Sequence, residues 1–351
     1  MKLWTIACAT LLASGALAAQ QIDIGAPPGR LIDIGGRKLH VNCTGPSESG
    51  GRSDQPPLFE LRRSAVALAK AERTGPTVIL EAGASSFAID WSLVQPVIAR
   101  TYRVCSYDRA GSGWSDPRTE VDTPARIVAD LHAVLGATGE KPPYVMVGAS
   151  AGGQYVRLYQ LEHPAEVIGL VLVDPSTEDR LFTMYQQRAV LIGSLTAEQL
   201  LTTLPTSAVK VPARQPQTGA PFDRLPPDLY QLRIKIDQRL IASIPASVSA
   251  DIVRESAEGQ RAGLARLLES RGREDNPIRN VPMVVLTRGQ NMGQGLAETH
   301  AGLARLSTDS RHEVVPTAGH EIHLFTPSAV IQAIEDVTVA ATERRPLTPR
   351  P

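Results

Sequence analysis

Residues 144–153 read Tyr-Val-Met-Val-Gly-Ala-Ser-Ala-Gly-Gly: a short apolar run, then Gly-x-Ser-x-Gly, then a stretch of helical composition at 154–162. A serine between a strand and a helix sits on a sharp turn, and its neighbours must be small for the two elements to approach. Gly148 and Gly152 meet that need, so Ser150 reads as a nucleophile on a strand-to-helix elbow. The competing readings are a tight structural turn or a phosphate-binding loop. The second lacks both the lysine of a P-loop and the glycine spacing of a dinucleotide fingerprint.

The rest of the chain is organised around this turn. Before it, strand-like runs at 31–34 and 37–43 meet at Gly35-Gly36, a hairpin signal. Residues 46–57 are loop-like, and 58–73 carry helical spacing (Leu58, Leu61, Ala65, Leu68, Ala69), an insertion before the strand at 77–80. A helix is expected at about 89–100, a strand at 103–107, and a helix from Pro124 capped by Thr123. After the elbow come an apolar strand at 167–173 ending at Asp174-Pro175, and then a long block, 176–280, in which helical patterns dominate: 178–191, 197–204, 226–241 and 247–270. Alternation resumes with strands at 283–286 and 312–315, a helix near 296–306 and a final helix at about 327–342. Such alternation on both sides of a helical block implies an α/β chain with a mostly parallel sheet covered on both faces. The block leaves the sheet after one strand and returns before the next, as an inserted cap does.

The first 19 residues stand outside this pattern. Lys2 followed by an apolar stretch and Ala16-Leu17-Ala18 matches an export leader with a small-x-small cleavage site. Cleavage there would remove Cys8 and deliver the protein to a periplasm or the medium, leaving Cys43 and Cys105 in an oxidising compartment. The 36 basic and 36 acidic residues balance, with no long run of one sign. Charge therefore gives no footprint for nucleic acid or a membrane surface, and no stable membrane insertion is expected once the leader is gone. No metal-binding, flavin or nicotinamide fingerprint occurs, so no cofactor is expected. A small-molecule substrate is the expected partner.

Five segments together carry a family resemblance: Glu-Ala-Gly-Ala at 81–84, Asp-Arg-Ala-Gly-Ser-Gly-Trp-Ser at 108–115, Gly-Ala-Ser-Ala-Gly at 148–152, Val-Leu-Val-Asp-Pro at 171–175 and Gly-His-Glu-Ile-His-Leu at 319–324. In this order, at these strand ends, the chain resembles the α/β-hydrolase superfamily, and within it the capped, lipase- and peptidase-like serine esterases. The resemblance implies an eight-stranded sheet, and with the patterns above the expected organisation is leader 1–19, core 20–175 and 281–343 with an insertion at 46–76, helical cap 176–280, and a disordered tail 344–351. It also implies that the second and fourth strands are neighbours, which makes a Cys43–Cys105 disulfide an expectation; two buried free thiols are the alternative.

A serine hydroxyl needs a base within reach, itself oriented by a third group, and in this superfamily the chain order is Ser, acid, His. His320 directly follows the last strand and is the expected base, with His323 its close rival. His300 lies in a helical stretch and His312 in a strand, away from the active edge. The acid usually follows the strand placed here at 283–286, but that loop, Thr287 to Gly295, holds no carboxylate. Asp174, one strand earlier, becomes the expected acid, Glu298 the alternative, and Asn291 an uncharged possibility; Asp309 falls at the opposite edge. The oxyanion hole is expected from the backbone N–H groups of Ala151 and Ala84. Asp108 and Arg109 read as structural, Trp91 as packing, and Trp114 as the better candidate for a pocket wall. The expected activity is hydrolysis of carboxylic esters through an acyl-enzyme. The alternatives are an aminopeptidase on the same fold and a low-turnover ligand-binding protein.

Overall fold

The computed structural model describes residues 22–46 and 75–347. The expected leader and the expected helix at 58–73 lie outside the described residues.

In chain order the elements are β1 (Arg30–Asp33), β2 (Lys38–Thr44), β3 (Thr77–Glu81), α1 (Gln95–Ile98), β4 (Arg103–Tyr107), α2 (Pro124–Thr138), β5 (Tyr144–Ala149), α3 (Ala151–Glu162) and β6 (Val167–Val173). The intervening block holds β7 (Phe182–Tyr185), β8 (Arg188–Leu191), α4 (Ala197–Leu201), β9 (Val209–Lys210), α5 (Pro227–Ser243), β10 (Ser247–Val248) and α6 (Ala250–Ser270). The chain then returns to the sheet with β11 (Met283–Arg288), α7 (Leu296–Ala304), β12 (Ser310–Val315), α8 (Ile322–Phe325) and α9 (Pro327–Glu343). The main sheet has 8 strands in the order β1-β2-β4-β3-β5-β6-β11-β12. Only β2 runs against its neighbours on both sides; from β4 to β12 every pairing is parallel. This is the α/β-hydrolase fold.

Alternate residues of the central strands supply two cores. Ile79, Met146, Leu170, Leu172, Met283 and Val285 pack on one face against Val128, Leu131, Val156 and Tyr159 of α2 and α3. Val78, Leu80, Val145, Val147, Val171, Val173, Val284 and Leu286 pack on the other against Ile98, Val330, Ile334 and Val337 of α1 and α9. Both faces of these strands are buried, which explains why they read as unbroken apolar runs. Each such side chain contributes about 1.5–3 kcal/mol on burial. At the N-terminus of α2, the Thr123 hydroxyl accepts from the Arg126 N–H at 3.3 Å, and Pro124 takes the first helical position.

Cys43 and Cys105 lie directly opposite each other on β2 and β4 and form a disulfide, with Cα atoms 4.0 Å apart.

Three expectations need correction. Residues 178–191 are not a helix: Glu178–Arg180 makes a single 3-10 turn, and β7 and β8 form a hairpin in which Thr183 pairs with Val190. Leu181 and Tyr185 mimic helical spacing, but Thr183 and Tyr185 turn inward while Phe182 and Met184 stay exposed, a period of two. Gln186 and Gln187 close the hairpin with φ of 46° and 63°, the left-handed pair that a two-residue turn requires. The helix expected at 89–100 is broken into the 3-10 turn Ala88–Trp91 and the short α1. The described part of the tail, 344–347, is tied down: Leu347 is buried, and its N–H donates to Asp309 Oδ1 at 2.9 Å. Residues 348–351 lie outside the described residues. Among the described residues, no helix is long and apolar enough to cross a membrane.

Candidate active site

Ser150 links β5 to α3 with φ 51° and ψ −117°, a left-handed conformation that costs a non-glycine residue about 1–3 kcal/mol. The surroundings hold it there. Its N–H donates to the Val173 carbonyl at 3.0 Å, and its own carbonyl accepts from Gly153 N–H at 3.0 Å and Ser176 N–H at 2.8 Å. The flanking glycines permit the close approach. A Cβ at Gly148 would stand 2.5 Å from the Gly152 carbonyl carbon, and one at Gly152 would stand 2.5 Å from the Glu81 oxygen.

The loop after β12 brings His320 to this turn, and the end of β6 brings Asp174. His320 Nε2 lies 2.9 Å from Ser150 Oγ, and Nδ1 lies 2.5 Å from Asp174 Oδ2. An ionised carboxylate only accepts, so Nδ1 carries the proton and the Nε2 lone pair faces the serine hydroxyl. Asp174, itself at φ 42°, donates its N–H to the Leu286 carbonyl at 2.8 Å. Its Oδ1 accepts from the Arg288 N–H at 3.0 Å, and Arg288 Nη1 stands 3.5 Å from Oδ2. Burial alone would raise the pKa of Asp174. The hydrogen bond and charge of His320, with the Arg288 amide and guanidinium, outweigh burial and hold it below the usual carboxylate value.

Glu298, in the first turn of α7, is exposed, as is Asn291; it is Asp174 that the fold brings to His320. His323 is buried against Trp91, with ring centroids 4.6 Å apart. Burial, helped by the nearby His320 and Arg233, pushes its pKa down to about 3. Trp114, the better candidate for a pocket wall, is buried: its ring is tilted against His40 with centroids 4.9 Å apart, and its Nε1–H donates to the Gly25 carbonyl at 2.9 Å.

Two supporting networks escaped the sequence reading. Behind Asp174, His300 Nε2 lies 3.0 Å from the Pro175 carbonyl, and its Nδ1 lies 2.7 Å from Thr287 Oγ1. Thr287 Oγ1 in turn lies 2.8 Å from His312 Nε2. The directions are consistent in one pattern: His300 donates to the carbonyl and accepts the Thr287 hydroxyl, whose oxygen accepts from His312. Burial drives the pKa of His300 to about 4, against the pull of Asp174, so it stays neutral. Below the serine, the fully buried Arg157 of α3 grips Glu178 at 3.0 and 2.8 Å and the Ser176 carbonyl at 3.2 Å. Arg271, just past α6, joins at 2.8 Å. Burial opposes ionisation of Glu178, but the two guanidiniums win and lower its pKa to about 2. The segment after Asp174 is thereby clamped to the helix that begins at the serine.

The turn after β3 passes beside the nucleophile: a Cβ at Gly83 would stand 3.2 Å from Ser150 Cβ. Arg109 shapes this turn, donating to Glu81 Oε1 at 2.5 Å, to the Ala82 carbonyl at 2.7 Å and to the Gly83 carbonyl at 2.5 Å. The Tyr107 hydroxyl also bonds Glu81. In a trans peptide the C=O and the next N–H point in opposite directions. With the Gly83 carbonyl turned to Arg109, the Ala84 N–H points away from it. Asp108 is structural as expected, accepting from Ala88 N–H at 2.8 Å and contacting His40 Nδ1 at 2.7 Å. From the block between β6 and β11, Arg214 reaches Ser85 Oγ at 3.3 Å, and the buried Arg233 of α5 bonds Asp90 at 2.9 Å. That block therefore touches the loop that follows β3, in which Ala84 stays exposed.

A family model described as alpha/beta hydrolase fold matches residues 75–327. The uncharacterized protein YqjL of Bacillus subtilis (strain 168) is 23% identical over 276 residues, spanning 77% of this chain and 87% of that protein. The enol-lactonase of Burkholderia xenovorans LB400 superposes with a TM-score of 0.55 at 16% identity, covering 88% of this chain and 99% of the lactonase. A thermophilic esterase of Thermogutta terrifontis gives 0.51 at 19% identity, covering 85% of this chain and 92% of the esterase.

Proposed function

The chain belongs to the α/β-hydrolase fold family, and we propose that it is a serine hydrolase that cleaves carboxylic esters through an acyl-enzyme. The observation that carries this reading is the unbroken relay from Ser150 Oγ through His320 to Asp174. In the proposed cycle Ser150 attacks the ester carbonyl while His320 Nε2 takes its proton. His320 then returns that proton to the departing alcohol. A water molecule, deprotonated by the same nitrogen, attacks the acyl-enzyme and frees the acid. Asp174 holds the ring in the tautomer that leaves Nε2 free and stabilises the imidazolium. The Ala151 and Ala84 N–H groups receive the charge that develops on the carbonyl oxygen, each worth a factor of about 10²–10³ in turnover. An ester is the substrate class because an alcohol leaves more readily than an amine. The cross-strand disulfide fits export to an oxidising compartment, where residues 1–19 would direct the chain.

A fluorophosphonate probe tests the reading. The native protein is expected to be labelled at one site with loss of p-nitrophenyl ester turnover, and Ser150→Ala is expected to show neither labelling nor turnover. An unlabelled native protein, or equal labelling of the variant, overturns it.

A further inference from the structure

The far end of α3 carries a cluster of side chains for which the hydrolytic cycle has no use. This helix has 12 residues, so its C-terminus stands about 18 Å from the serine. There His163 ends the helix, His132 projects from α2, and Glu166 immediately precedes β6. The two imidazoles stack face to face, with centroids 4.0 Å apart and planes 4° from parallel. His132 Nε2 lies 3.2 Å from Glu166 Oε1. One ligand atom from each of the three residues lies within 4.8 Å of the other two.

The cluster is braced. The His163 N–H donates to the Tyr159 carbonyl at 2.8 Å, and Glu166 N–H donates to the His163 carbonyl at 3.0 Å, which fixes the turn between these two residues. The Glu166 carbonyl accepts from Tyr144 N–H at 2.7 Å, tying the same turn to β5. Tyr159, buried beneath, donates its hydroxyl to Glu166 Oε2 at 2.5 Å and packs its ring 4.7 Å from His163. That leaves Glu166 Oε1 turned to His132, with an oriented outer partner behind it, as carboxylate ligands of metals have.

We propose that His132, His163 and Glu166 form a binding site for one borderline divalent transition-metal ion of the Zn²⁺ class, with the remaining coordination position open to solvent. Two imidazoles and a carboxylate suit such an ion and not the oxygen-seeking Mg²⁺ or Ca²⁺. Metal–ligand bonds of about 2.0–2.1 Å in a tetrahedral site put the ligand atoms roughly 3.4 Å apart. Two parallel stacked rings cannot aim their in-plane lone pairs at one ion, so binding requires the His132 side chain, 48% exposed, to turn out of the stack. Bound there, the ion fastens α2 to the turn between α3 and β6. It is structural and stands apart from the ester chemistry.

The test uses the full chain with its disulfide intact, stripped by chelator and titrated with Zn²⁺ by calorimetry and with Co²⁺ by visible absorption. One equivalent is expected to bind, with a rise in melting temperature. His132→Phe retains a ring to stack on His163 but loses a ligand, and Glu166→Gln retains the shape but loses the charge. Loss of an outer partner of a ligand costs about 10- to 100-fold in affinity, and each of these variants, which loses a ligand itself, is expected to weaken binding by at least that much. His320→Ala is expected to bind as tightly as the native chain, which excludes the imidazole beside Ser150 as the ligand. The proposal is overturned by absence of saturable binding, by unchanged affinity in His132→Phe and Glu166→Gln, or by loss of binding in His320→Ala.

Discussion

The Arg288 N–H donates to Asp174 Oδ1 at 3.0 Å. The family resemblance places the acid after β11; here the end of that strand instead supplies a hydrogen-bond donor to the carboxylate of Asp174, just past the adjacent β6. Asp174→Asn keeps the shape but favours the wrong imidazole tautomer, and kcat for a p-nitrophenyl ester is expected to fall on the order of 10⁴-fold. Glu298→Gln, on an exposed turn, is expected to leave kcat within about twofold, inside the small effects typical of surface changes. The reverse ranking in steady-state assays would transfer the role to Glu298.

Arg109 is expected to act on turnover without touching the substrate. A lysine there offers one compact ammonium where the guanidinium serves Glu81 and two carbonyls. The turn that carries the Ala84 N–H then loses its fixed orientation. Arg109→Lys is expected to lower kcat by roughly 10²-fold, with KM little changed. A loss confined to KM would mean that the residue shapes binding instead.

Acid should weaken the fold in two stages. His300 and His323 are held neutral, with pKa values of about 4 and 3, whereas an unfolded histidine titrates near 6.5. Below pH 6.5 the unfolded chain takes up protons that the folded chain refuses, so stability falls as pH falls, by up to about 1.4 kcal/mol per pH unit for each ring. Urea unfolding of His323→Leu between pH 6.5 and 4.5 should show a shallower slope than the native chain. Glu178 acts at lower pH. Its folded pKa of about 2 lies below its ordinary value of 4.5, so its stabilisation, about 3 kcal/mol, is complete above pH 4.5 and is lost as pH falls toward 2.

The Cys43–Cys105 bridge closes 62 residues of chain, a loop for which the chain-entropy relation gives about 4 kcal/mol. Reduction, or the double change Cys43→Ser with Cys105→Ser, is expected to lower the melting temperature by on the order of 5–10 °C. An unchanged melting temperature under reductant would show that strand pairing alone holds β2 against β4.

Two glycine substitutions are expected to act in opposite directions. Gly152→Ala drives a Cβ to 2.5 Å from the Glu81 oxygen and should cost about 1–3 kcal/mol together with ester turnover. Gly136, within α2, has nothing within 4 Å of the place its Cβ would take. Gly136→Ala is expected to stabilise by up to about 1 kcal/mol, through helix propensity alone. Denaturant midpoints distinguish the two.

The elements legible in the sequence were those whose signal is local. Apolar runs at 77–80, 144–147 and 167–173 announce strands buried on both faces, and the glycines around Ser150 announce a turn that admits no side chain. The hairpin at 182–191 carries no distinct signal, because Leu181 and Tyr185 satisfy a helical period as well as a strand period, and the left-handed Gln186-Gln187 turn lacks the glycine or asparagine that usually marks it. The networks around Asp174 were invisible for a different reason. Arg157 meets Arg271 through Glu178, and Thr287 joins His300 to His312. Such pairings exist only after the sheet has assembled, and no spacing in the chain encodes them.

The position of Asp174 before the intervening block also bears on how this protein can diversify. The chain separates His320 from Asp174 by 146 residues and from Ser150 by 170, so serine and acid share a single β–α–β unit and only the imidazole arrives from afar. Extending a flexible connection is cheap, about 0.6 kcal/mol for each doubling of length. The part of the block between β6 and β11 that lies outside the Ser176–Glu178 and Arg271 contacts can therefore be lengthened without disturbing the spacing of Ser150 and Asp174. Under the proposed function, variation in that block is a route by which one Ser150–Asp174 unit is fitted to different substrates.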